Sequence, residues 1–84
     1  MSEDGTLLTR ALKGDRAAFA TLYDRHSSSV FGYAVRLTGD RSAAEDVVQE
    51  TFVALLGGKR FDPSRSFTAW LLTIARNEAF DLLR

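Results

Sequence analysis

The chain of 84 residues carries 11 basic and 11 acidic side chains, so its formal net charge at neutral pH is zero, and it has no cysteine. That length makes one small domain with a modest core, and the absent thiols exclude cysteine catalysis, thiolate metal sites and disulfide frameworks. A hydrophobic content of 45% with a single proline excludes a disordered chain, and zero net charge argues against gripping duplex DNA through the overall field.

Alternating apolar and polar runs are scarce, so the pattern predicts an all-α fold, a compact bundle of about four helices. A first short helix is predicted over about 4–13, with Leu7, Leu8, Ala11 and Leu12 on one side and Gly14 ending it. Glu3 and Asp4 stand where a secretory signal would have a basic segment followed by an apolar core. Asp15 caps a long second helix over about 16–38, in which Phe19, Leu22, Tyr23, Val30, Tyr33, Ala34 and Leu37 keep a 3.6-residue period as far as Gly39. Ser27 to Ser29 lie inside that period, and because the apolar spacing stays in phase on either side the helix reads as continuous. His26, the only histidine, falls on the apolar face and reads as a packed, hydrogen-bonded core residue, since no second ligand or nucleophile accompanies it.

The Gly39-Asp40 turn leads into a central helix over about 42–56. Ser42 followed by Glu45 has the spacing of a capping box, and Gly57 and Gly58 supply the stop. Ala44, Val47, Val48, Phe52, Leu55 and Leu56 recur as a buried face requires. Asp46, Gln49, Glu50 and Val53 fall at i, i+3, i+4 and i+7 and form a narrow outward stripe, with no lysine or arginine on the helix to pair with the carboxylates. Two readings stay open from these residues alone: a solvated acidic face, or a docking site for a basic partner.

The segment 57–66 is irregular, with Asp62 and Pro63 biased away from helix, and it sets Lys59, Arg60 and Arg65 beside Phe61. Residues 1–58 hold six basic and eight acidic side chains and residues 59–84 hold five and three, so the cationic end is the better candidate to face phosphates. Ser66 starts a last helix over about 67–84, whose core face is Trp70, Leu71, Ile74 and Ala75. Leu72, Phe80 and Leu83, with Leu7 and Leu8, are more apolar surface than one small core hides, which predicts a partner patch. Thr73, Arg76, Asn77 and Arg84 share one polar face. The expected core comprises Phe19, Leu22, Val30, Ala34, Val48, Phe52, Trp70, Leu71 and Ile74.

Three stretches stand in order: "GDRAAFATLYDRH", "GDRSAAEDVVQETFVALL" and "FDPSRSFTAWLLTIARNEAFDLLR". Together they resemble the second conserved region of bacterial extracytoplasmic-function (ECF) sigma factors over about Leu7 to Arg84, and "AEDVVQETF" followed by "WLLTIARN" is the specific combination. The resemblance implies a non-enzymatic, cytoplasmic promoter-recognition domain that binds core RNA polymerase and the −10 element, with no metal and no cofactor. It assigns Asp46, Gln49 and Glu50, with Val53 on the same stripe, to the clamp helices of the polymerase's largest subunit. It assigns Lys59, Arg60, Phe61, Ser64, Arg65 and Phe67 to melted promoter DNA, preferably the non-template strand, with Thr73, Arg76, Asn77 and Arg84 on the following helix and Asn77 as the first candidate for base contact. It further implies a mostly helical anti-sigma factor that competes with polymerase. A complete member also has a second helical domain that reads the −35 element, and no counterpart of it follows Arg84 in this sequence. An enzyme is disfavoured by the absence of a glycine-rich phosphate loop and of Glu-x-x-His pairs. A helical protein–protein interaction module without direct DNA binding is the alternative.

Overall fold

The computed structural model describes residues 3–84 and contains four helices: α1 (Glu3–Leu12), α2 (Arg16–Thr38), α3 (Arg41–Leu56) and α4 (Phe67–Leu82). The starts of α2, α3 and α4 are each fixed by a side chain that satisfies a free amide of the first turn. The Asp15 carboxylate accepts from the Ala18 N–H at 3.1 Å and from Arg10 Nε at 2.9 Å. The amide bond first, and then the Arg10 guanidinium, hold its carboxyl below the usual range. Ser66 Oγ accepts from the Ala69 N–H at 3.3 Å and opens α4.

The expected capping box at Ser42 and Glu45 does not form. Helix α3 begins at Arg41, and its cap is Asp40, whose Oδ1 accepts from the Ser42 N–H at 2.8 Å and the Ala43 N–H at 3.3 Å. Ser42 therefore lies inside the first turn, with its amide already taken. Gly39 ends α2 in the left-handed region at φ 69°, and its N–H donates to the Val35 carbonyl at 2.7 Å. At the end of α3, Gly57 keeps an ordinary φ of −77° and Gly58 takes the left-handed one, 88°.

Helix α2 packs extensively against each of the other three. It runs unbroken through Ser27 to Ser29. Its Leu22, Val30 and Ala34 are fully buried among Val47, Val48, Phe52 and Leu55 of α3, Leu71 and Ala75 of α4, and Leu7, Leu8 and Ala11 of α1. Leu7 and Leu8, expected to contribute spare apolar surface, are core residues because α1 lays that edge against α2. Phe19 and Trp70, expected in the core, are half-buried at its margin. Phe19 meets Phe52 edge-on with centroids 6.1 Å apart, and Trp70 belongs to an aromatic group with Phe61 and Phe67. Leu56, in the last turn of α3, is exposed rather than buried. The fully buried Thr51 satisfies its hydroxyl by donating to the Val47 carbonyl at 2.6 Å, so a polar residue occupies the core at no hydrogen-bonding cost.

Phe52 is 2% exposed and meets the Tyr23 ring at a tilt, with centroids 4.9 Å apart, as well as Phe19 edge-on. Replacing it by alanine is expected to cost about 3–5 kcal/mol, a large share of a small domain's stability. Urea unfolding followed by circular dichroism measures the loss.

Candidate functional site

Two surfaces stand out, one acidic and one cationic. On α3 the four residues of the predicted stripe, Asp46, Gln49, Glu50 and Val53, are all exposed, Val53 at 64%. The helix period that buries Val47, Val48, Phe52 and Leu55 leaves these four on the opposite side. Glu78 and Asp81 of α4 join Asp46 and Glu50, with Val47 and Leu82, around a hollow of about 220 Å³. Among the described residues no lysine or arginine forms an ion pair with any of these four carboxylates, and the group is not arranged as a metal site. Gln49 and Glu45 also border a groove of about 450 Å³ between α2 and α3, with Tyr23, Ser27, Ser28, Phe31 and Val48. Glu78 and Asp81 were not singled out by sequence reasoning. Their i, i+3 spacing was the available signal, but only the packing of α4 on α3 brings them beside Asp46 and Glu50.

The second surface is built on the segment between α3 and α4. Asp62 organises it: Oδ1 accepts from the Ser64 N–H at 2.9 Å and from the Ser64 hydroxyl at 2.8 Å, and the Asp62 carbonyl accepts from the Arg65 N–H at 2.9 Å. The turn ties up Ser64 and leaves Lys59, Arg60 and Arg65 exposed. Phe61 is half-buried, its ring 5.4 Å from Phe67 and 5.1 Å from Trp70. Phe67, which the resemblance assigns to melted promoter DNA, is 4% exposed. As the first residue of α4 it points into the core and stands behind Phe61.

A cleft of about 360 Å³ opens between this segment and α1, lined by Gly5, Thr6, Leu8, Thr9 and Leu12 on one side and Gly58, Lys59, Arg60, Phe61 and Pro63 on the other. Sequence reasoning missed the α1 wall. The spacing of Gly5, Leu8, Thr9 and Leu12 marks one helix face, but the return of the chain some fifty residues later to cover it has no local signal. On α4, Thr73, Arg76 and Asn77 are exposed, and so is Arg84 just beyond its end. Thr73 donates its hydroxyl to the Ala69 carbonyl at 3.0 Å, and the Arg76 guanidinium lies over the Phe80 ring at 5.2 Å.

The family model described as Sigma-70 region 2 matches residues 22–84. The chain belongs to that family. It is 42% identical over 84% of its length to the ECF RNA polymerase sigma factor SigL of Mycobacterium tuberculosis, and 37% identical over 92% of its length to the RNA polymerase sigma factor CarQ of Myxococcus xanthus. It spans less than half of those relatives, 41% and 45% respectively. A solved NMR structure of an engineered region 2 of sigmaE in complex with GTAAAA superimposes with a TM-score of 0.68 at 34% identity, covering 99% of this chain and 90% of that one.

As a sigma region 2 domain the chain presents α3 as an acceptor face and the Lys59–Phe67 segment as a cationic, aromatic edge. No helix among the described residues is long and apolar enough to cross a membrane. The edge depends on the Asp62 turn, and the carboxyl of Asp62 is held below its usual range chiefly by the Ser64 amide, then by the Ser64 hydroxyl. A carboxyl lowered on folding stabilises the turn fully above the ordinary carboxylate range, and that contribution fades as pH falls through the lowered value. The Ser64 amide resonance should hold its position on acidification to the ordinary range and shift only below it, and Asp62→Asn should weaken the turn where Asp62 is ionised and make little difference below its lowered value.

Proposed function

We propose that this chain is the promoter-recognition domain of an ECF-type transcription initiation factor, which binds core RNA polymerase with one surface and the melted non-template strand of the −10 element with the other. The observation that carries the reading is the coexistence, on one region 2 fold, of an acceptor face lacking internal cations and a cationic, aromatic-lined cleft. Asp46, Gln49 and Glu50, with Val53 beside them, serve as the polymerase face. Carboxylate and amide acceptors in a row suit an arginine-bearing partner helix, because guanidinium pairs are directional as well as strong. The clamp helices of the largest polymerase subunit are that partner.

The strand runs along the other surface. Single-stranded DNA is held by cations along its backbone and by aromatic or apolar groups against unstacked bases. Lys59 and Arg60 in the cleft of about 360 Å³, with Arg65 on the same segment, supply the first and Phe61 the second. Ser64 shapes the turn, Phe67 supports Phe61 from behind, and Thr73, Arg76, Asn77 and Arg84 extend the contact, Asn77 reading a base. The sigmaE region 2 seen with GTAAAA supports this assignment by its likeness to the chain. The domain acts without catalysis, in the cytoplasm. Phe80, Leu82 and Leu83 remain exposed at the end of α4 and just beyond it, Leu82 beside the acidic hollow, and a mostly helical anti-sigma factor that covers them together with the α3 stripe would exclude polymerase.

Reversing the charge at Glu50, Glu50→Arg, should lower affinity for purified core polymerase by about tenfold or more, since like charges then face each other. The same variant should bind a single-stranded −10 oligonucleotide as the unsubstituted chain does. Binding of intact duplex should be weak throughout. Unchanged polymerase binding by a folded Glu50→Arg variant removes the docking assignment, and loss of strand binding with polymerase binding intact favours a module that contacts protein only.

A further inference from the structure

Buried polar atoms without hydrogen bonds need a reason, because each costs desolvation. The described residues hold one such pair, His26 Nε2 and Asp4 Oδ1. The atoms lie 3.1 Å apart, within ion-pair reach, yet neither completes a hydrogen bond. His26 is 8% exposed. Arg25, the next residue on α2, pairs with Glu3 and reaches Asp4 at 3.5 Å, so the acidic start of α1 is clamped to α2 at this point.

The other face of the His26 ring decides its use. It packs on Phe67 with centroids 5.1 Å apart, and Phe67 in turn meets Phe61 at 5.4 Å and Trp70 at 5.5 Å. A continuous run of rings thus connects the α1–α2 clamp to Phe61, the aromatic that lines the cleft. Phe61 sits in a segment with no helix of its own, and its ring contacts are with Phe67 and Trp70. For the core alone an apolar side chain would fill the His26 position without an unmade hydrogen bond. What an apolar chain lacks is a polar atom facing the Asp4 carboxylate at 3.1 Å, and through that attraction a preferred ring angle against Phe67.

The geometry points to His26 as the positioning residue of the strand-binding wall: its ring, oriented by Asp4, braces Phe67 so that Phe61 stays at the cleft. This rests on the strand-binding reading above. His26 touches neither the cleft nor the α3 stripe; it acts through Phe67.

The test uses the 84-residue chain, a labelled single-stranded oligonucleotide containing GTAAAA, and purified core polymerase. His26→Ala should weaken oligonucleotide binding by about tenfold, the scale of one lost aromatic contact, and leave polymerase affinity unchanged. Trp70, the only tryptophan, should report the loosened wall as a red-shifted emission in the folded variant. His26→Phe keeps a ring without the polar atom that faces Asp4 and should recover only part of the oligonucleotide affinity. Asp4→Ala removes the orienting group and leaves the ring, so it should show the same selective loss at smaller size; this variant decides the matter if His26→Ala does not fold. Parallel loss of both partners would reduce His26 to a core residue, and unchanged oligonucleotide binding would dismiss the brace. If the unsubstituted chain does not bind the oligonucleotide, the strand-binding reading itself falls and the brace with it.

Discussion

Burial of α2 against the other three helices is the interaction on which the remaining structure depends. In so short a chain one helix has to provide the common surface, and Leu22, Val30 and Ala34 are fully enclosed because α1, α3 and α4 all close on them. Small side chains make the approach possible: Ala18, Ala34, Ala44, Ala75 and Ala79 are among the most buried residues, so backbones come near one another and long side chains from neighbouring helices fill the space between. Once those apolar edges are used, the outward side of α3 has no part in holding the fold. Asp46, Gln49, Glu50 and Val53 are left exposed.

The same economy explains the placement of charge. Zero net charge conceals an acidic surface shared by α3 and α4 and a cationic one on the Lys59–Arg65 segment. Charges of one sign gathered on a surface attract a complementary partner over about 8–10 Å at moderate salt, and zero net charge supplies no overall field to hold duplex DNA. The internal ion pairs among the described residues lie elsewhere, between α1 and α2 and in the turn that joins them. They secure α1, which forms one wall of the cleft, and through His26 they reach the aromatic group behind the other.

The helices were legible in the sequence because each carries its own period and its own punctuation. Gly14, Gly39 and Gly58 take left-handed angles where turns were expected, and Asp15 and Ser66 cap where polar residues precede apolar runs. The exposed stripe on α3 follows from the same period that buries Phe52. What was not legible arises between segments distant in sequence. Asp40 displaced Ser42 as a cap because either residue fits a local rule, and the backbone of the turn decides between them. Phe67 looked available to a ligand until α4 turned it inward, and Leu7 and Leu8 looked surplus until α1 was laid on α2. The cleft, and the contribution of Glu78 and Asp81 to the acidic surface, likewise depend on contacts that no local pattern encodes.

The central claim is that two partners use separate surfaces of one small domain. Amide chemical-shift mapping of the labelled chain, titrated first with a single-stranded −10 oligonucleotide and then with a fragment bearing the polymerase clamp helices, tests this most directly. The account predicts that the oligonucleotide perturbs the α1 face from Thr6 to Leu12 and the Lys59–Asn77 region, that the fragment perturbs Asp46 to Val53 with Glu78 and Asp81, and that a ternary complex forms with both sets retained. Displacement of the oligonucleotide by the fragment, or perturbations that coincide on one surface, would contradict it.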